Sequence, residues 1–270
     1  MHVLNTTRKV VAFITRNIKN PQFLFLYSLY FFQKEFRVRV SFFSNDEVIA
    51  LVTSGKSLLR LGDGEIGLLN DRGIIGTVFL QKSLPVLKQG IYRIITGYTK
   101  NSPYVIALPK KYASYSNEEL RMEGKLRSWL PFKVMYSLIF PKDISYADAH
   151  MFYSPKYFEA HFLPFLKQKK LIFVINETKV AKLSTQYVGE RGVHFVPTPS
   201  SNAGEKYHQI KKDIERTLDM CKGEETVLIF SCGPVGKVLL HEFSLRGVQG
   251  IDLGEAANVL FEDTRIDHLV

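Results

Sequence analysis

The sequence predicts an α/β fold, a Rossmann-like and mostly parallel sheet with helices on both faces. Helical and strand patterns alternate along the chain after residue 40. The strand-length stretches are continuous apolar runs, which is typical of strands covered on both sides. The helical stretches between them are long enough to connect parallel neighbours. In such sheets ligands bind outside the carboxyl ends of the strands, so residues there are the first candidates for function.

The predicted helices carry apolar residues at helical spacing, and several begin with a capping residue or a proline. They cover residues 44–57, 84–98, 116–130, 155–168 with a kink at Pro164, 180–192, 205–221 and 234–247. The predicted strands are the apolar runs between them. They cover residues 57–63, 104–108, 170–176, 193–199, 226–233 and 248–254. Strand and helix therefore follow one another through most of the chain.

The bulk composition favours a folded protein of a reducing compartment. At 270 residues, 46% hydrophobic and 23% charged, the chain can bury a sizeable core. Cys221 and Cys232 do not form a CxxC pair, which argues against a disulfide scaffold or a structural zinc site. No repeat or Gly/Ser linker occurs. We expect a basic, aromatic-rich extension over residues 1–44 and one α/β domain over residues 45–270.

The extension carries much of the positive charge of the chain. The net charge is +10, and residues 1–40 hold seven basic side chains against Glu35. The apolar run at residues 23–32 is shorter than the roughly 20 residues that a transmembrane helix needs, and signal-peptide features are lacking. The extension is either a helix pair packed on the domain or a surface that docks on an anionic membrane or a partner subunit. No nucleic-acid motif appears, so nucleic acid is not an expected partner. We expect a cytoplasmic protein, which the membrane-docking alternative would place at the inner face of the membrane.

The stretch RLGDGEIG, residues 60–67, places two carboxylates after a predicted strand. Gly64 separates Asp63 from Glu65 and lets the chain turn, so that both carboxylates can approach one point. Two hard oxygen ligands suit Mg²⁺ or Mn²⁺, completed by water and substrate phosphates. A β-turn with solvated acids is the alternative that the spacing leaves open.

A second strand end, SCGPVGK at residues 231–237, is suited to an anion. Gly233 follows the strand, and Pro234 opens a helix whose free N–H groups and dipole favour a phosphate. Lys237 can add a positive charge. The pattern is neither a Walker loop nor GxGxxG, and a tight turn without a ligand remains the alternative.

Two further strand ends carry polar groups. Ser200, Ser201 and Asn202 can donate to a ribose, a phosphate or a base edge, or they form only a capped polar loop. Asp252 and Glu255 surround the end of the last strand, where either can act as a general base; Glu255 can instead stabilise a helix N-terminus. Five of the seven histidines lie among apolar residues and are expected to be packed or on the surface: His150, His161, His194, His208 and His241.

Taken in order, these stretches resemble the bacterial glycosyltransferases of the GT-D fold. The family shows RFGDGE at a strand end, then a GxxxxFQ stretch, a PPxNAFxKY loop and a final GPTAxVLAxDLxxxGYQAIDIGH. The corresponding stretches here are RLGDGE, GIIGTVFLQ, PTPSSNAGEKY and GPVGKVLLHEFSLRGVQGIDLG. The resemblance covers the chain from near residue 45 to its end. It departs from the family at Glu255, which replaces a histidine, and at Lys237, which replaces a small or polar residue.

The resemblance implies a metal-dependent transfer of a sugar from a nucleoside diphosphate, often UDP. The acceptor would be a glycan, a lipid-linked glycan or a glycoprotein, in bacterial surface polysaccharide or glycoprotein synthesis. Asp63 and Glu65 would meet Mn²⁺ or Mg²⁺ and the diphosphate, with Arg60, Gly62 and Gly64 beside the donor. A non-catalytic nucleotide or sugar-phosphate binding module is the alternative, and a dinucleotide-dependent reductase is disfavoured because no GxGxxG follows the first strand. Homo-oligomerisation is left open.

Overall fold

The computed structural model describes residues 21–69, 81–180, 193–254 and 256–257, and it has the predicted α/β architecture. Its sheet contains eight strands: β1 (Ser41–Phe42), β2 (Ser57–Arg60), β3 (Tyr104–Leu108), β4 (Ser145–Asp148), β5 (Lys170–Asn176), β6 (Val193–Thr198), β7 (Thr226–Ser231) and β8 (Gln249–Asp252). The predicted stretches 57–63, 104–108, 170–176, 193–199, 226–233 and 248–254 all contain strands. Strands β3, β5 and β7 are apolar and buried on both faces, whereas β6 at the sheet edge is only partly buried.

The strand order is β1-β4-β3-β2-β8-β7-β5-β6, and every pair of neighbours is parallel. Strands β1 to β4 form one half of the sheet, in which β3 and β4 lie successively farther from the centre than β2. Strands β5 to β8 form the other half. The two halves meet where β2 pairs with β8, with Leu58 opposite Ile251. This junction is the topological switch point, where loops diverge and leave room for a ligand.

Helices cover both faces of the sheet. They are α1 (Pro21–Phe31), α2 (Asn45–Thr53), α3 (Asp63–Leu69), α4 (Pro85–Thr96), α5 (Lys110–Ser114), α6 (Asn117–Met122), α7 (Leu126–Ile139), α8 (Pro155–His161), α9 (Leu163–Leu166), α10 (Tyr207–Met220) and α11 (Pro234–Leu245). Adjacent strand residues point to opposite sides: Leu58 belongs to the same hydrophobic cluster as Val48 of α2, and Leu59 belongs to a second cluster with Leu87 of α4. In the described ranges no helix has the length and apolarity needed to cross a bilayer.

Local sequence signals set most helix boundaries. Ser44 caps α2 in a capping box with Glu47. The predicted helix over 116–130 is wrong in one respect, because it is two helices. Gly124 takes a positive φ of 66° between α6 and α7, which ends the first helix. The predicted helix over 180–192 lies almost wholly outside the described residues.

The described part of the N-terminal extension packs on the core. Phe23 of α1 is fully buried in the same hydrophobic cluster as residues of α7, such as Trp129. The side-chain amide of Asn117 donates to the carbonyls of Tyr30 and Gln33, at 2.6 and 2.8 Å. Strand β1 pairs with β4 at the sheet edge. The boundary at residue 44 stays a prediction.

Candidate active site

The carboxyl ends of the strands at the switch point open into a cavity of about 440 Å³. It is lined by the turns after β2, β6 and β7 and by the short 3-10 turn Met151–Tyr153 after β4. Strand ends that are far apart in sequence therefore meet in one space. The structure brings these predicted residues to its lining: Arg60, Gly62, Asp63, Gly64, Glu65, Ser200, Ser201, Asn202, Gly233, Pro234 and Lys237.

The two acids of the GDGE stretch occupy the first turn of α3. Gly62 precedes the helix, and its N–H donates to Glu65 Oε2 at 2.8 Å, as in one half of a capping box. Asp63 is half-buried in the cavity lining, whereas Glu65 is buried. Burial and the neighbouring Glu65 carboxylate raise the pKa of Asp63. A divalent cation beside these acids would offset that mutual repulsion.

Lys237 lies in the first turns of α11 and is buried at the floor of the cavity. Its ammonium is 3.0 Å from Asp252 Oδ2 and 3.5 Å from Glu65 Oε1. Burial alone would lower the pKa of Lys237, but attraction to Asp252 and Glu65 outweighs it and raises the pKa. The Lys237 ammonium is therefore protonated and forms ion pairs with both Asp252 and Glu65. Its predicted role as a phosphate ligand stays a prediction.

Asp252 lies behind the cavity surface, at the end of β8, and is only 2% exposed. Its Oδ2 accepts from the Arg60 N–H at 3.3 Å, and its Oδ1 accepts from the Gly254 N–H at 3.0 Å. The Arg60 guanidinium donates to the Leu253 carbonyl, which fixes the ends of β2 and β8 together. Asp252 thus holds the switch point, and its predicted role as a base stays a prediction. Glu255 lies outside the described residues.

The turn between β7 and α11 has the geometry that its sequence predicts. Gly233 takes φ of 69°, a conformation that favours glycine, and Pro234 is the first residue of the helix. The Ser231 hydroxyl donates to the Gly254 carbonyl at 2.9 Å, which ties this turn to the end of β8. The N-terminus of the 12-residue helix α11 begins at the cavity lining. An anion is favoured at such a terminus.

The SSN loop, which contains Ser200, Ser201 and Asn202, follows β6 and also lines the cavity. Asn202 takes φ of 49°, and its side-chain oxygen accepts from the Lys82 N–H at 2.8 Å. Lys82 also forms an exposed ion pair with Glu205 at 2.7 Å. The loop is thereby joined to the segment before α4. With this anchor, Ser200 and Ser201 are presented at the lining.

Sequence reasoning missed an aromatic wall of the cavity. This wall contains Trp129, His150 and Tyr153, and Tyr153 is 37% exposed. The His150 and Tyr153 rings meet edge-on, with 5.4 Å between their centres. The Arg60 guanidinium lies 5.5 Å from the centre of the Tyr153 ring. Two strand-end residues, Asn176 and Thr198, were also missed, although their position after apolar runs could have indicated them.

His150 is a packed histidine, as its sequence context predicts, and it also lines the cavity. It lies half-buried between Tyr112 and Tyr153 and reaches the cavity lining. Burial lowers its pKa, and the nearby Arg60 and Lys111 lower it further, although Asp148 partly offsets them. The imidazole is therefore largely neutral at pH 7, and it can accept a proton or a hydrogen bond from a bound hydroxyl group.

The acids in the first turn of α3 fit a hard divalent cation. Asp63 and Glu65 supply oxygen donors at the cavity, and a cation of this type is commonly held by one or two carboxylates with substrate phosphates. Within the described ranges no group of three or more His, Cys, Asp or Glu residues could hold a metal. A cation here would accordingly depend on the two acids together with the substrate.

Comparison with known families agrees with this architecture. The family model for the glycosyltransferase GT-D fold matches residues 58–259, which is most of the chain. The chain belongs to this family. The matched GT-D region runs from β2 past β8 and so contains both halves of the switch point. The protein is therefore a glycosyltransferase.

Solved structures support the same GT-D fold. One is described as a new glycosyltransferase (DUF1792) from Streptococcus sanguinis; it is 21% identical, has a TM-score of 0.65, and the match covers 83% of this chain and 85% of that one. Another is described as the domain of unknown function 1792 with a distinct glycosyltransferase fold. It is 20% identical with the same TM-score of 0.65, and the match covers 90% of this chain and 86% of that one. A search of curated proteins found no match.

Proposed function

We propose that this GT-D protein moves a sugar from a nucleoside-diphosphate donor, with UDP favoured, in a reaction that requires Mn²⁺ or Mg²⁺. The acceptor class is a glycan, a lipid-linked glycan or a glycoprotein of the bacterial surface. One observation carries the proposal. Asp63 and Glu65 lie in the same cavity as the N-terminus of α11 and the SSN loop, at the switch point of the sheet.

The roles follow from the charge that the reaction develops. The bond between the anomeric carbon and the diphosphate breaks, the acceptor oxygen bonds to that carbon, and its proton leaves to a base. A cation held by Asp63 and Glu65 would neutralise the departing diphosphate. The N-terminus of α11, with Gly233 and Pro234, favours the same anion. Ser200 and Ser201 supply hydroxyl groups for the nucleotide or the sugar.

A nucleotide-sugar screen tests the proposal. Protein is incubated with UDP-sugars and other nucleotide sugars, with Mn²⁺ or with EDTA, and release of the nucleoside diphosphate is measured. We expect release that needs the metal and falls about 100-fold or more in Asp63→Asn and Glu65→Gln. Asp219→Asn, which removes an exposed acid on α10, serves as the control and should retain activity.

The alternative of a non-catalytic binding module gives a different result. Nucleotides would then raise the melting temperature equally with and without Mn²⁺, and no nucleotide sugar would be cleaved in the presence of acceptor glycans. Unchanged release in both acid variants would instead show that the metal role of Asp63 and Glu65 is wrong.

We also propose that the N-terminal region contacts an anionic membrane. Phe25, Leu29 and Phe32 are 67%, 45% and 80% exposed, and their spacing places them on one face of α1 and its end. The other face of the helix packs on the core through Phe23. Exposed Lys34 follows the apolar face directly. Apolar groups beside basic ones are the combination that binds anionic lipid surfaces.

Vesicle sedimentation tests the membrane contact. We expect binding to phosphatidylglycerol vesicles, little binding to phosphatidylcholine vesicles, and loss of binding when Phe25, Leu29 and Phe32 are changed to serine. The control changes the exposed Met122, Met220 and Leu245 to serine. Equal binding by the two triple variants would contradict a membrane face on α1. If the α1 variant binds vesicles like the wild type but has a lower molecular mass in solution, the exposed face is a subunit interface instead.

A further inference from the structure

The buried ammonium of Lys237 connects three elements at the floor of the cavity. Lys237 belongs to α11, Glu65 to the first turn of α3, and Asp252 to the end of β8. The ammonium lies 3.0 Å from Asp252 and 3.5 Å from Glu65, and each of the three side chains is less than 10% exposed. Buried charges with such limited access to water interact more strongly than exposed ones.

Backbone groups fix the two acids from their other sides. Glu65 accepts from the Gly62 N–H, while Asp252 accepts from the N–H groups of Arg60 and Gly254. Each carboxylate therefore lies between the ammonium and the backbone of a strand end. Without the ammonium, two buried negative charges would face each other across the switch point, and their repulsion would favour separation.

We propose that Lys237 balances the charge of the acidic cavity floor beside Asp63, while backbone N–H groups hold Glu65 and Asp252 in place. This inference rests on the proposed function, because it concerns the two ligands proposed for the active site, a divalent cation and a nucleoside diphosphate. With Lys237 the triad of Lys237, Glu65 and Asp252 carries a formal charge of −1, and without Lys237 it carries −2. The ammonium thus limits the attraction of the empty site for a cation and reduces its repulsion of a diphosphate.

The charge balance predicts opposite changes for the two ligands. Lys237→Met keeps most of the length of the side chain and removes its charge. Mn²⁺ should then bind more tightly, by about tenfold, because one nearby repulsive charge is lost. UDP measured in EDTA should bind about tenfold more weakly for the converse reason. Lys237→Arg retains the charge and should shift both affinities much less.

Titration calorimetry with Mn²⁺ alone and with UDP alone tests this inference, and needs no acceptor. Lys211→Met is the matched control, since it removes the charge of a partly exposed lysine that is paired with Glu242 at 2.7 Å on another surface. Circular dichroism confirms that each variant is folded before binding is measured. Opposite shifts in Lys237→Met, absent from Lys211→Met, support the proposal.

Other results overturn it. If both affinities fall together in folded Lys237→Met, or if neither changes, Lys237 does not balance the charge of the site. Asp63→Asn is measured in parallel to separate this from failure of the proposed function. If Mn²⁺ binds equally to the wild type and Asp63→Asn, the proposed metal site is wrong, whatever Lys237 does. If the wild type binds neither ligand, both proposals fail.

Discussion

Two buried lysines in this protein have opposite environments. Lys133 in α7 and Lys237 in α11 are 0% and 6% exposed. The Lys133 ammonium donates to the carbonyls of Phe36 and Tyr115 and to the side-chain oxygen of Asn117, at 2.9, 2.6 and 3.0 Å. These acceptors are neutral, whereas the partners of Lys237 are two carboxylates.

The difference in partners reverses the shift in pKa. Burial lowers the pKa of Lys133 to about 8, and the charge of Arg37 contributes in the same direction. For Lys237 the two acids overcome burial and raise the pKa. Burial by itself therefore does not indicate the role of a lysine in this fold. Lys133 joins the N-terminal segment to α7, whereas Lys237 places charge at the candidate active site.

The largest effect on stability is expected at Lys237. Lys237→Met leaves Asp252 and Glu65 buried without their cation, so the free energy of unfolding at pH 7 should fall by about 4 kcal/mol. Urea unfolding measures this loss. Adding Asp252→Asn removes one of the unpaired charges, and the double variant should be more stable than Lys237→Met. A double variant less stable than the single one would show that packing, rather than unpaired charge, causes the loss.

A smaller loss is expected at Lys133. Lys133→Met leaves three buried oxygen acceptors without a donor, but it also removes the cost of burying a charge, so we expect a loss of about 2 kcal/mol in urea unfolding. Binding of Mn²⁺ and UDP should not change, because Lys133 does not contact the cavity. A changed affinity for either ligand would remove the distinction between the two lysines.

The sequence predicts the strands and the acidic stretch around the candidate active site, but it does not predict how the environments of Lys133 and Lys237 differ. Strands β5 and β7 could be predicted because each is largely a continuous apolar run that ends in a polar residue. The switch-point strands β2 and β8 are shorter, and they could be predicted from the glycine and acidic residues that follow their apolar residues. The acids of the GDGE stretch could be placed at a strand end for the same reason. These signals are local, and local patterns determine where a strand stops.

The partners of each lysine depend on long-range packing and could not be predicted. Lys133 and Lys237 both interrupt apolar helical stretches, and neither context reveals whether carbonyls or carboxylates surround the ammonium. Strand β4 was missed because SYAD is short and ends in an acid, so the wall with His150 and Tyr153 was missed with it. Which side chains meet across the sheet is decided by strand order, which no single stretch encodes.

The smallest expected effect is the pH dependence of the Lys133 contribution. The folded-state pKa of about 8 lies below the ordinary value of 10.5, so between these values the unfolded chain binds more protons than the folded one. Stability from this group is therefore lower below pH 8 and rises with pH through that window. The difference in unfolding free energy between the wild type and Lys133→Met should increase by about 1 kcal/mol from pH 8 to pH 9.

Urea unfolding of both proteins at pH 7, 8 and 9 measures this increase, and the subtraction cancels groups that titrate equally in both. The same series on Lys237→Arg provides the control, because the retained positive charge stays paired with acids across this range. A flat difference for Lys133→Met would mean that the Lys133 ammonium stays protonated in the folded protein up to its ordinary pKa. Three neutral acceptors would then fully offset the cost of burying the ammonium, and the pKa of Lys133 would not be lowered as this comparison requires.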